Sequence, residues 1–587
     1  MYKQHLRKTH RLPSVRKSPA LIRGDVRHGY WLLIALLLLT VAGCRTALRP
    51  PGDTPSGTLN WSLEGVQDLP GLDPARAGNQ QSTTVINLVF AGLVRLDGNL
   101  EVQPDGAESW QVSDDGRVYT FKIRPDLRFG NGDPVTAQDF SYSINRALTP
   151  TTGSFSAPAQ LSHVLGAVDV AEGRAEYASG VRVLDDYTLE IELDEPQAFF
   201  LSQLTYPHTF VTPRQLIEQA GDDWTKTAYG TGPYMVAEWR PGEEIMLTAN
   251  PHYWRGSPGI ATVHFPFYEP SEEAYQHYRN GDLDIAGSGQ NGIPAERVSE
   301  VKHLPDFRSS PALSVRYIGF NNQLAPFDNA SVRKAFALAV DKQDLTERVL
   351  SETVIATNRI LPDGLVGSRL AVRGQDFDPT GARSALNQAG YLGGHELPPV
   401  TFTYALEGDN SQVAQALYRY WRDHLGVEVT LEGLELQQFI QRLDETFYEP
   451  EQGLQMYLSV WSADYPDPHN FLSQQLHSSS PNNNGHWSNV AFDQLVDQAD
   501  QMSRPNQHQE RLQLYNQAEQ VALDEVGWLP LYNPSITVLV RPTVQGLDFT
   551  PQGLVASDWT RVWIAGTTET TETTEDDAAT VDTTSAD

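Results

Sequence analysis

The sequence predicts mixed α/β domains, two or three in one chain. Three observations carry that prediction: a length far beyond one hydrophobic core, strand-like and helix-like periodicities that alternate, and many large aromatic residues. The chain has 587 residues, with 12 Trp, 21 Phe and 23 Tyr to bury and 38 Pro and 45 Gly to make turns and connections.

Taken in chain order, the elements begin with a leader. Before Trp31 stand Lys3, Arg7, Lys8, Arg11, Arg16, Lys17, Arg23 and Arg27 against the single acid Asp25, and then comes the apolar run Trp31 to Ala42, WLLIALLLLTVA. That is the layout of a secretory signal over 1–43. The run is too short to persist as a membrane span, which needs roughly 20 apolar residues. It ends in Val41-Ala42-Gly43-Cys44, which resembles a bacterial lipobox in which Cys44 takes a lipid and becomes the first mature residue. The other reading is an ordinary signal with an incidental cysteine. Residues 44–57 are Pro/Gly-rich and read as a flexible tether.

Val118 to Arg124 (VYTFKIR) sets Tyr119, Phe121 and Ile123 on one face, and Tyr187 to Leu193 (YTLEIEL) does the same with Tyr187, Leu189, Ile191 and Leu193. Period two marks half-buried strands. Asn329 to Leu350 carries Val332, Ala335, Phe336, Ala339 and Val340 at helical spacing, with Asn329 or Ser331 available as N-cap. Ser411 to Leu425 and Pro505 to Leu523 read as further helices. The Thr-rich acidic tail, 566–587, has no aromatic residue to bury and is expected to be disordered.

Charge and motifs exclude several classes. A formal net charge of −31, more negative still once the basic leader is removed, repels phosphate backbones, so no nucleic-acid partner is expected. The only cysteine is Cys44, which leaves no internal disulfide, thiolate metal cluster or cysteine nucleophile in the folded body. There is no G-x-S-x-G elbow and no H-E-x-x-H helix, and the histidines are scattered. A secreted hydrolase is therefore a distant alternative, and no metal or cofactor is expected. Gly230, Gly232 and Pro233 in GTGPY predict a tight turn feeding a strand; with no Lys-Ser or Lys-Thr following, they are not a phosphate loop.

Four collinear segments carry a family resemblance: Leu72 to Arg146, opening LDPARAGNQQSTTVINLVFAGLVRLDGNL; Tyr229 to Trp254, YGTGPYMVAEWRPGEEIMLTANPHYW; Tyr317 to Leu345, YIGFNNQLAPFDNASVRKAFALAVDKQDL; and Trp461 to Phe471, WSADYPDPHNF. Together they make the chain similar to the large peptide- and nickel-type receptors of ABC importers, the family 5 extracellular solute-binding proteins. The resemblance implies a two-lobed Venus-flytrap architecture with three domains. Domain I would comprise 58–95, 206–312 and 536–565, domain II the inserted 96–205, and domain III, the second lobe, 313–535. A hinge would run near Ser314 to Asn321 and Leu529 to Thr537. It further implies a monomeric, extracytoplasmic, non-enzymatic receptor that captures short peptides and hands them to a membrane permease with its ATPase subunits. The same scaffold also suits an oligosaccharide, a nickel complex or another small solute.

A general peptide receptor needs a partner for the charged amino terminus and a strand edge for the peptide backbone. Similar oligopeptide receptors use the Asp of the WSADYPDPHNF motif for the first, which here is Asp464, with Trp461, Ser462 and Ala463 supplying strand-like pairing. ADYPDP is equally turn chemistry, which would make Asp464 a turn or cap residue. Asp467 reads as structural. Tyr532, in WLPLYNP, matches a region where similar proteins place a ligand-side tyrosine, and a packed core tyrosine is its other reading.

Overall fold

A computed structural model describes residues 55–287, 292–368, 371–556 and 558–565. The leader, Cys44, nearly all of the tether and the acidic tail lie outside the described residues, among which no helix is long and apolar enough to cross a membrane.

The first lobe is built on a sheet in which Thr58–Asn60 runs parallel to Thr262–Tyr268, followed by antiparallel Glu244–Ala249 and Tyr234–Arg240. Alternation sets Ile245, Leu247, Val263 and Phe265 on its fully buried face. Helix Gln80–Val89, capped by the Asn79 side chain on the Ser82 amide, packs Val85, Ile86 and Val89 onto the same core. Gly230 and Gly232 are small for a reason other than the expected turn. A Cβ there would stand 2.3 Å and 2.6 Å from the carbonyl oxygens of Val89 and Leu88 at the end of that helix.

Residues 93–211 hold a separate core beneath an antiparallel sheet of Ala107–Val112, Val118–Ile123, Thr188–Glu192 and Val181–Asp185. Tyr119, Phe121, Ile123, Leu189, Ile191 and Leu193 are all buried, as their alternation predicts. Tyr187 is not: it precedes the strand, its carbonyl accepting from the Ile123 amide, and its ring is exposed.

In the second lobe a sheet runs Ser314–Phe320, Met456–Ser462, Val400–Ala405, Val429–Leu434, and buried clusters lie on both sides, one around Phe336, Phe402 and Trp421, the other around Phe471, Trp487 and Tyr515. The helix expected over 329–350 breaks in two. Ala330–Leu338 starts at the Asn329 cap, and Asp341, in extended conformation, then caps Lys342–Asp344 with its own side chain, from which the chain runs on into the helical turn Leu345–Val349. The other two expected helices are Asn410–Leu425, ended by left-handed Gly426, and His508–Asp524.

The long strand Trp528–Val540 serves both lobes. Its first half pairs with Ser314–Phe320, and its second half with Phe307–Pro311 and Ile285–Ala286. The chain therefore crosses at two adjoining points, 311–314 and 533–535. They are tied by Ala312 N donating to Pro534 O and by the fully buried Asn533 donating from Nδ2 to Ser314 O, each at 2.8 Å. A third bridge is the hairpin Val94–Leu96 and Val102–Pro104, whose tip residue Leu100, at φ +62, is buried in the second-lobe cluster with Leu313, Val315 and Tyr317.

Candidate ligand cleft

Between the lobes lies a cleft of about 430 Å³. One wall carries the first turns of helix Gln80–Val89, Tyr206, Gly232 and Arg255; the other carries Leu313, Ser462, Ala463 and Asp464. The second wall is the end of strand Met456–Ser462. In its antiparallel pairing Trp461 faces Val315, and Ala463 N donates to Leu313 O at 2.8 Å. Odd-numbered residues thus send their backbone groups toward Ser314–Phe320, and Val460 and Ser462 send theirs the other way. The far edge is paired to Val400–Ala405 only at Met456 and Tyr457. Beyond that point no described strand covers it, and Ser462 is exposed where the edge enters the cleft.

Asp464 is positioned by Asn470, which is fully buried. Asn470 Oδ1 accepts from Trp461 Nε1 and from Asp464 N, both at 3.1 Å. These groups can only donate, so Nδ2 must face the other side, where it donates to Asp464 Oδ2 at 3.2 Å and to Gln474 Oε1 at 2.6 Å. Every hydrogen-bonding valence of Asn470 is used. The Asp464 carboxylate receives one long neutral hydrogen bond and, among the described residues, no Lys, Arg or His as ion-pair partner. Burial raises its pKa above the ordinary value, opposed by the Asn470 amide. Across the cleft, burial and then the Asp464 charge raise the Tyr206 hydroxyl. A half-buried, under-compensated carboxylate beside an open strand edge can accept an ammonium group and the first amides of an extended chain.

The structure brings Ser462, Ala463 and Asp464 together on the cleft wall. Trp461 points to the opposite face, its indole held by Asn470 and packed against the second-lobe core, so that it acts on Asp464 through that amide. Tyr532 stands apart from this group. It is 4 % exposed within the Phe336–Trp421 cluster, with Arg316 beside its hydroxyl, and does not line the cleft. Asp467 is structural, capping Pro468–Asn470 and gripping Arg511 in a two-pronged ion pair at 2.9 and 2.5 Å. Asn470 sits inside the WSADYPDPHNF motif yet carried no charge to draw notice. Tyr206, Arg95, Asp105 and Arg255 reach the cleft from distant segments and had no signal in the sequence.

Comparison with known proteins identifies the frame. The family model for bacterial extracellular solute-binding proteins, family 5, matches residues 101–483. The probable deoxycholate-binding periplasmic protein YgiS of Escherichia coli is 31% identical over 541 residues, covering 89% of this chain and 98% of its own. The unliganded open form of the periplasmic murein tripeptide-binding protein MppA superposes with a TM-score of 0.77 at 28% identity, covering 88% of this chain and 99% of its own. The oligopeptide-binding protein OppA of Haemophilus influenzae, in complex with the peptide RPPGFSPFR, gives 0.63 at 26% identity, covering 87% and 100%. The chain is a two-lobed binding protein, not an enzyme, and it belongs to family 5 of the bacterial extracellular solute-binding proteins.

Proposed function

We propose that this protein captures short peptides with a free amino terminus between its lobes and delivers them to an ABC permease and its ATPase subunits. The observation that carries the reading is Asp464: a desolvated carboxylate with one weak donor, at the mouth of an uncovered strand edge. The guest's ammonium completes the ion pair, and its amides pair with Val460 and Ser462. In this reading Ser462, Ala463 and Asp464 touch the guest, Trp461 positions Asp464, and Tyr532 supports the second-lobe core. The domain division 58–95 with 206–312 and 536–565, then 96–205, then 313–535, is supported by the separate buried clusters, the 94–104 hairpin being shared. A lipid on Cys44 would tether a monomeric receptor at the outer face of the membrane, supported by the lipobox-like Val41-Ala42-Gly43-Cys44.

Relatives named for murein tripeptide and oligopeptide binding support a peptide guest, while the relative named for deoxycholate binding supports an amphipathic carboxylic acid. Asp464 separates the two, because a bile acid brings no ammonium to neutralise it. Isothermal calorimetry with free and N-acetylated peptides, on the parent and on Asp464→Asn, tests the reading. The free peptide should lose about 2–5 kcal/mol in the variant, and the acetylated peptide should bind both proteins equally. Binding of deoxycholate but of no peptide would overturn it.

A further inference from the structure

Residues 93–211 meet the second lobe at a further place, apart from the hairpin and outside the cleft lining. Phe199 and Phe200 are adjacent and both buried, but they pack on different bodies. Phe200 belongs to the core of residues 93–211, with its ring centroid 4.9 Å from that of Tyr119. Phe199 is not part of that core, yet it is only 2 % exposed. Its ring stacks on His469 of the second lobe, with centroids 3.6 Å apart and planes 20° from parallel, and on Tyr465 at 5.7 Å and 15°. Two backbone approaches fix the contact: Ala198 N donates to Asp500 O at 2.9 Å, and Gly116 comes so near that a Cβ there would stand 2.3 Å from Ser503 Oγ.

Tyr465 and His469 belong to the same short segment that carries Asp464. The Tyr465 hydroxyl and His469 Nδ1 are hydrogen-bonded at 2.7 Å. His469 N donates to Asp467 Oδ1 at 3.0 Å and Asn470 N to Asp467 O at 3.1 Å, while Arg511 holds the Asp467 carboxylate. The turn is therefore one stiff piece, with Asp464 and Asn470 at its ends and the two stacked rings between them. A shift of His469 moves its neighbour Asn470, and Asn470 is the group that holds both the backbone and the carboxylate of Asp464. Burial pulls the His469 imidazole down to about 3, so at neutral pH the ring is uncharged and lies face to face with Phe199 without burying a charge. A stacked aromatic pair fixes both plane and distance, which an aliphatic contact does not.

We propose that Phe199 is a positioning residue for the ammonium seat: by stacking on His469 from the 93–211 body it holds the 464–470 turn, and with it the Asp464 carboxylate, in place beside the strand edge at Ser462. The carboxylate has only the one long bond from Asn470, so its position depends on how firmly Asn470 is held. A seat on the second lobe thus takes part of its precision from a ring outside that lobe. Misplacing the carboxylate costs a charged guest more than a neutral one, because charge-assisted hydrogen bonds are the stronger ones and weaken steeply with poor geometry. The proposal rests on the peptide reading for the guest that fills the seat; the hold of Phe199 on the turn is independent of it.

Calorimetry of the full chain with trialanine and N-acetyl-trialanine tests it on three proteins: the parent, Phe199→Leu, which keeps the apolar bulk and loses the stack, and Phe199→Tyr, which keeps the ring. Phe199→Leu should bind the free peptide about twofold to tenfold more weakly and the acetylated peptide as the parent does, and Phe199→Tyr should bind both as the parent does. Equal losses for both peptides would make Phe199 a contact between bodies with no part in the seat, and no loss for either would make it packing alone. Each of these overturns the proposal and leaves the peptide reading standing. If the parent binds neither peptide, or both equally, the ammonium reading fails, and amide hydrogen exchange of the free protein decides. Faster exchange over 464–472 in Phe199→Leu, reversed in Phe199→Tyr, upholds the hold on the turn, and unchanged exchange removes it.

Discussion

Asp464 shows how one side chain sets a solution property. Its carboxylate is desolvated and given a single amide donor, so it holds a proton to higher pH than an ordinary aspartate. In the proposed reading an ammonium guest binds the ionised form. Above the raised pKa the carboxylate is ready; as pH falls through that value, binding must first expel a proton, and affinity drops by up to about tenfold per pH unit. Calorimetry from about pH 8 to about pH 4 should show this decline for free peptides and a flat profile for N-acetylated ones. A flat profile for both would separate Asp464 from the amino terminus.

Among the elements, the 94–104 hairpin is the one that packs on two cores at once. Its apolar residues number too few for a core of their own, and it borrows one: Leu96 and Leu100 pack on the second lobe while Val94 packs in the core of residues 93–211. Arg95 is therefore clamped between the two bodies. Leu100→Ala removes a side chain that is 3 % exposed and should cost about 2–3 kcal/mol in denaturant unfolding. A loss within about 0.5 kcal/mol would mean the tip collapses without consequence. Strand faces such as Tyr119-Phe121-Ile123 were legible because alternation depends on neighbours alone, whereas the break at Ala339–Asp341 was not, since helical spacing continues through it and only the extended Asp341 cap interrupts the helix. Ser462, Ala463 and Asp464 could be picked out because their motif is contiguous; Tyr532 could not be assigned, because core and cleft tyrosines look alike until packing is known.

At the scale of the molecule, two crossings bound by Ala312–Pro534 and Asn533–Ser314 hydrogen bonds allow rotation without separation of the lobes. Small-angle scattering should show the radius of gyration fall when a saturating free peptide is added, and Asp464→Asn should require a higher concentration for the same contraction. No change at saturation would rule out capture by closure.

The sequence by itself determined the α/β character and the family frame, because each is written in contiguous residues or in a local period. Only the tertiary structure decided that Tyr532 belongs to a core, that Asn470 holds Asp464, and that Arg95 and Arg255 converge on Asp105. Those side chains lie far apart along the chain, and their meeting depends on how two lobes and a bridging hairpin pack, which no local pattern encodes.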